Sequence, residues 1–185
     1  MNDKKSIYSK PIYHVCKHIP KDIIEEMKDE NLASTKDGLE RGFRICSNTE
    51  QLEKMDNKNT VMSERCIGTE RCMSMVGECP SDMKPMAFFH THPRTHLTYP
   101  SLGDIIHTNV HGYKFLCIGG KMDNINKDNI NKDNINKDNI NKDNINIVRC
   151  FPPDVPVITP QTHMIELSRF IRKWKEEVKD CIIGI

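Results

Sequence analysis

His90 and His92, one residue apart, are followed by Pro93 and, a short loop later, by Ser101-Leu102-Gly103-Asp104. Two imidazoles and a carboxylate make a ligand set for a borderline divalent cation such as Zn2+. A three-ligand set leaves a fourth position open, which is what separates a catalytic zinc from a structural one. The spacing supports convergence. Met86-Ala87-Phe88-Phe89 is an apolar run with strand character. If the strand continues, alternation puts His90 and His92 on one face. Pro93 ends it. Ser101 stands where a helix N-cap belongs, so Asp104 falls in the first turn, where a carboxylate is favourable.

His90, His92, Pro93, Ser101 and Asp104 resemble the JAMM motif of the JAB1/MPN/Mov34 zinc metalloprotease family in residue type and order. That pattern is an upstream Glu, then His-x-His-Pro, then Ser-x-x-Asp. The stretch between His92 and Asp104 is one residue longer here than is usual in the family. Ser101-x-x-Asp104 keeps its own spacing, so the extra residue reads as a loop insertion before Pro100.

The resemblance implies a glutamate on an earlier strand that handles the protons of a zinc-activated water. Glu40 is the best candidate, because Glu40-Arg41-Gly42-Phe43-Arg44-Ile45-Cys46 alternates and resembles the family's Glu-x-Gly opening. Glu50 and Glu64, in polar stretches, and Glu70 and Glu78, flanking a segment of less clear strand character, are the alternatives. The implied roles are His90, His92 and Asp104 as metal ligands, Glu40 as general base and acid, and Ser101 as donor to the oxyanion. The implied reaction is hydrolysis of an amide or isopeptide bond, with a ubiquitin-like protein conjugate or a peptide as substrate. The implied fold is α/β, a cytidine-deaminase-like mixed β-sheet flanked by helices, as in an MPN/JAB domain.

The elements that must position these residues follow from the rest of the chain. Its 185 residues suit one domain with a core of its own. Residues 1–38 read as an N-terminal extension, with a short strand near Tyr13 and a helix opening at Pro20-Lys21-Asp22. Residues 39–151 read as the metal-binding domain. In it, Arg65-Cys66-Ile67-Gly68 is a strand end, Asp104 to His111 a short helix, and Tyr113–Gly119 and Ile147–Phe151 paired core strands. Gly119-Gly120 reads as a hairpin bend. Between those strands, the unit Asp-Asn-Ile-Asn-Lys runs in tandem over 123–146. Five residues is no solenoid period and the unit lacks apolar mass, so the low-complexity insert is expected to be a solvated excursion with no chemistry. Residues 152–185 read as a Pro-rich linker and an amphipathic helix from about Gln161 to Cys181, with Met164, Leu167, Ile171, Trp174 and Val178 on its inner stripe.

Lys+Arg 27 against Asp+Glu 26 gives a net charge of +1, so no strong field toward nucleic acid or membrane is implied. No apolar run has the length of a membrane span, and the start reads as polar rather than as an export signal. A cytoplasmic protein is expected. Its eight cysteines are then expected to be reduced, several of them as small buried hydrophobes. Cys66, Cys72 and Cys79 cluster but lack zinc-finger spacing. His107 and His111 are one helical turn apart and read as ordinary helix-face histidines. Two other functions stay open: a non-catalytic MPN-type scaffold, and a metal-dependent phosphoesterase. Oligomeric state and substrate identity do not follow from the sequence.

Overall fold

The computed structural model describes residues 15–68, 76–93, 98–121, 146–151 and 181–184. Residues 1–14, with the expected strand near Tyr13, residues 122–145, with all but the last residue of the repeat, and residues 152–180, with most of the expected terminal helix, lie outside them. Seven strands form one mixed sheet: β1 Glu40–Ser47, β2 Thr60–Met62, β3 Cys66–Gly68, β4 Lys84–Thr91, β5 Phe115–Lys121, β6 Asn146–Phe151 and β7 Cys181–Gly184. Their order is β2-β1-β4-β5-β6-β7, with β3 also on β1. All pairs are antiparallel except β4 with β5. Among the described residues, two α-helices flank the sheet, α1 Lys21–Asp37 and α2 Leu102–His111.

Helix α1 buries one stripe, Ile23, Met27, Glu30, Asn31 and Ser34, at helical spacing. The first half of that stripe, Ile23 and Met27, is apolar. It packs with Val15 and Ile19 against Phe43, Ile45, Phe89, Phe115, Cys117 and Val148. Its second half is polar and reaches the end of the sheet where the histidines lie. Asn31 donates to the carbonyls of Gly120 and Ile147, at 3.4 and 3.0 Å. Gly38 closes α1 at φ 73°, with its N–H on the Ser34 carbonyl. On the opposite face of the sheet, Phe88, Leu116, Ile118, Phe151 and Tyr113 form a second buried cluster with Cys66 and Val76. Alternation along β4 therefore sends Ala87 and Phe89 toward α1, and Phe88 and His90 to the other side.

Three elements differ from the sequence reading. Gly119 and Gly120 are not a bend but lie within β5. The glycine at 119 is needed because a Cβ there would come within 2.8 Å of the Asn31 side chain. Cys181 is not a helix end but opens β7, against Cys150 of β6. The thiols are not all reduced: Cys16–Cys181, Cys46–Cys79 and Cys117–Cys150 are disulfides, and Cys66 is free and buried. Sheet register explains what spacing could not, since Cys117 and Cys150 stand directly opposite each other across β5 and β6. No helix among the described residues is long and apolar enough to cross a membrane.

The Cys16–Cys181 bond spans 165 residues and ties the edge strand β7 to the segment before α1. Cys16→Ser combined with Cys181→Ser is expected to lose about 2–4 kcal/mol of stability, mainly by freeing the unfolded chain. Urea unfolding of oxidised protein measures this, and peptide mapping without reductant checks the pairing. An unchanged midpoint would contradict it.

Candidate metal centre

The centre is assembled from the end of β4 and the start of α2. His90 is fully buried and His92 partly so. Their Nε2 atoms lie 2.8 Å apart. Asp104, 2 % exposed, puts Oδ1 3.1 Å from Nε2 of His90 and Oδ2 3.4 Å from Nε2 of His92. All three donor atoms lie within 4.8 Å of one another, so this group could hold a metal ion. Ligands at about 2.0–2.1 Å in a tetrahedron stand roughly 3.3 Å apart, close to these spacings. The donor set fits zinc on chemistry as well as distance, with two nitrogens and one oxygen of borderline and hard character.

Asp104 is held at its place by a reciprocal cap. The Ser101 N–H donates to Asp104 Oδ2 at 2.6 Å, and the Asp104 N–H donates to Ser101 Oγ at 3.2 Å. The sequence placed the cap correctly. The Ser101 oxygen accepts in this pair, so its O–H proton is directed elsewhere. Burial pushes the Asp104 carboxyl up, but the adjacent His90 and His92 rings outweigh it and hold the group well below the usual carboxylate range. It is an anion at any ordinary pH, as a ligand must be.

β1 runs alongside β4. Gly42 stands opposite His90, and a Cβ at that glycine would meet Phe89 O at 2.8 Å and His90 Cβ at 3.2 Å. The glycine thus leaves room for His90. Gly42 and Glu40 lie two residues apart on one strand, so the Glu40 side chain leaves the sheet on the His90 face. Glu40 is half-buried at the start of β1, opposite Gly68 of β3. Among the alternatives, Glu50 pairs with Lys84 and Glu78 with Arg44, both on exposed carboxylates. Glu64 precedes β3 in an irregular stretch, and Glu70 lies outside the described residues.

His96 also lies outside the described residues. His107 is not an ordinary solvated helix histidine. Its ring is 5.2 Å from Phe88, 5.6 Å from Tyr113 and 4.3 Å from His111. Burial, then the charges of His111, His90 and Arg44, push it down to about 4. Below its ordinary value of 6.5 the unfolded chain takes up a proton that the folded chain refuses. Stability is therefore expected to fall as the pH drops from 6.5 toward 4. In chelator, the urea midpoint should fall less between pH 7 and pH 5 for His107→Phe than for the parent. Equal losses would contradict the assignment.

Three groups went unnoticed in the sequence. Arg44 Nε donates to the Tyr113 hydroxyl at 3.1 Å, beneath His107 and His111. Buried Glu30 accepts from Arg41 and Arg65, tying α1 to β1 and the start of β3. Thr91, between the two histidines, bonds to Ser34 of α1. A polar residue on the buried stripe of α1 was the only signal for Glu30 and Ser34. Compared with family models, curated proteins and solved structures, the chain matches none.

Proposed function

We propose that the protein is a zinc-dependent hydrolase of amide or isopeptide bonds, acting on a ubiquitin-like conjugate or a related peptide. The observation that carries this reading is the convergence of His90, His92 and Asp104 from two elements, with donor atoms inside 4.8 Å. The Glu40 strand beside it, and the motif order shared with JAMM proteases, add the catalytic half of the argument.

A zinc ion bound there supplies Lewis acidity and brings the ionisation of a water into the range near pH 7. His90, His92 and Asp104 would hold the ion, and a set of three protein donors, the one found among the described residues, would leave room for substrate. Glu40 removes the proton of the attacking water and returns it to the leaving nitrogen, so the amide is exchanged for a carboxylate and a free amine. Ser101, at the helix start, donates its O–H to the oxygen that gains charge as the carbonyl is attacked.

The test is cleavage of isopeptide-linked ubiquitin dimers by protein stripped with chelator and reloaded with zinc. Cleavage present only in the loaded protein supports the hydrolase. Bound zinc with no cleavage favours the scaffold, and hydrolysis of phosphate esters alone favours the phosphoesterase. Ser101 separates its two duties by substitution. Ser101→Gly keeps an acceptable cap, costing a few tenths of a kcal/mol. It removes the oxyanion donor and is expected to lower kcat by about 10²-fold. A parental kcat would assign Ser101 to capping only.

A further inference from the structure

The β1–β4 ladder stops at the rung Gly42–His90, one rung short of the metal end. The next rung would join Arg41 to Thr91. Side-chain hydroxyls take its place. The Arg41 N–H donates to Thr91 Oγ1 at 3.0 Å. Thr91 Oγ1 and Ser34 Oγ are 2.7 Å apart, and Ser34 Oγ donates to the Leu39 carbonyl, also at 2.7 Å. Ser34 has one hydroxyl proton and Leu39 takes it, so the proton between the two hydroxyls comes from Thr91. The chain runs in one direction: Arg41 N–H to Thr91, Thr91 O–H to Ser34, Ser34 O–H to Leu39 C=O.

Its two ends are the peptide groups on either side of Glu40. The Leu39 carbonyl precedes its Cα and the Arg41 N–H follows it. Both hydroxyl residues are fully buried, at 0 % exposure, where a hydrogen bond is short of competing water and its loss is costly. Thr91 sits between the two ligand histidines and points to the opposite face, toward α1. One residue thus shares a backbone with both ligands and holds the backbone of the base.

We propose that Thr91, acting through Ser34, is the positioning residue that sets the Glu40 carboxylate against the metal-side water. The inference rests on the hydrolase reading above. It deepens that reading by naming what fixes the distance between base and ligands. A displacement of about 1 Å at a reacting group costs roughly 10²-fold in rate, so a tether on the two peptide groups that flank the Glu40 Cα, the root of the base's side chain, is a rate device.

Thr91→Val keeps the side-chain shape and removes the hydroxyl; Ser34→Ala cuts the chain at its other member; Thr91→Ser keeps it. Zinc content, kcat and KM on ubiquitin dimers, and hydrogen exchange at the Arg41 amide are read for each, beside Glu40→Gln. Thr91→Val and Ser34→Ala should keep one zinc and the parental KM and lose about 10–10²-fold in kcat. In Thr91→Val the Arg41 amide should exchange at least about tenfold faster, while Phe43 and Phe89 amides stay protected. Thr91→Ser should match the parent in all of these. A parental kcat in Thr91→Val, with Glu40→Gln inactive, overturns this inference and leaves the hydrolase standing. Loss of zinc in Thr91→Val overturns it too, by making Thr91 a support of the ligands. A zinc-loaded parent that cleaves no amide overturns the hydrolase itself.

Discussion

Glu40→Gln is expected to keep its zinc and to lose between about 10² and 10⁴ of its turnover. The argument is one of position and charge. Glu40 is carried to the ligand face by the same alternation that brings Gly42 against His90. The three ligand atoms come from other residues, so converting the carboxylate to an amide leaves the donor set intact. What it removes is the basic oxygen that takes the water's proton in the proposed mechanism. Glutamine keeps the side-chain volume, so the fold should unfold within about 0.5 kcal/mol of the parent. Steady-state cleavage of ubiquitin dimers, with zinc analysis on the same samples, measures both halves. A variant as fast as the parent would move the base elsewhere. Loss of zinc would make Glu40 a ligand.

Asp104→Asn carries the second large effect, this time on the metal. The amide still offers an oxygen to the Ser101 N–H, so the start of α2 keeps its cap. It no longer offers an anion to the cation. Removing even an outer partner of a metal ligand weakens binding by about 10–100-fold. Losing one of three inner ligands should exceed the upper end of that range. Competition against a coloured chelator gives the affinity, and turnover at fixed free zinc should fall with it. The helix should persist, as read by far-ultraviolet circular dichroism. An Asp104→Asn protein with parental zinc affinity would contradict the ligand assignment.

The convergence of His90, His92 and Asp104 was readable from the sequence because its geometry is local. A period of two aligns His90 with His92, and the helix cap at Ser101 orients Asp104. The mixed sheet flanked by helices agrees with the α/β expectation at that level. What was unreadable depends on contacts between distant segments. Cys117 and Cys150 are 33 residues apart in sequence and adjacent only because β5 and β6 pair in one register. Gly119 looks like a bend residue, yet it lies in a strand because Asn31 of α1 occupies the space above it. Ser34 looks like an unremarkable helix serine, and only the packing of α1 across the end of β4 brings it to Thr91. The polar half of the α1 stripe bonds, through Ser34, to the strand that carries His90. An apolar-periodicity reading passes over it.

Zinc K-edge X-ray absorption on the purified protein tests the centre most directly. The expected first shell holds two imidazole nitrogens and carboxylate or water oxygens at about 2.0–2.1 Å, with no sulfur. Protein that binds no zinc, or a shell of thiolates at about 2.3 Å, would contradict it.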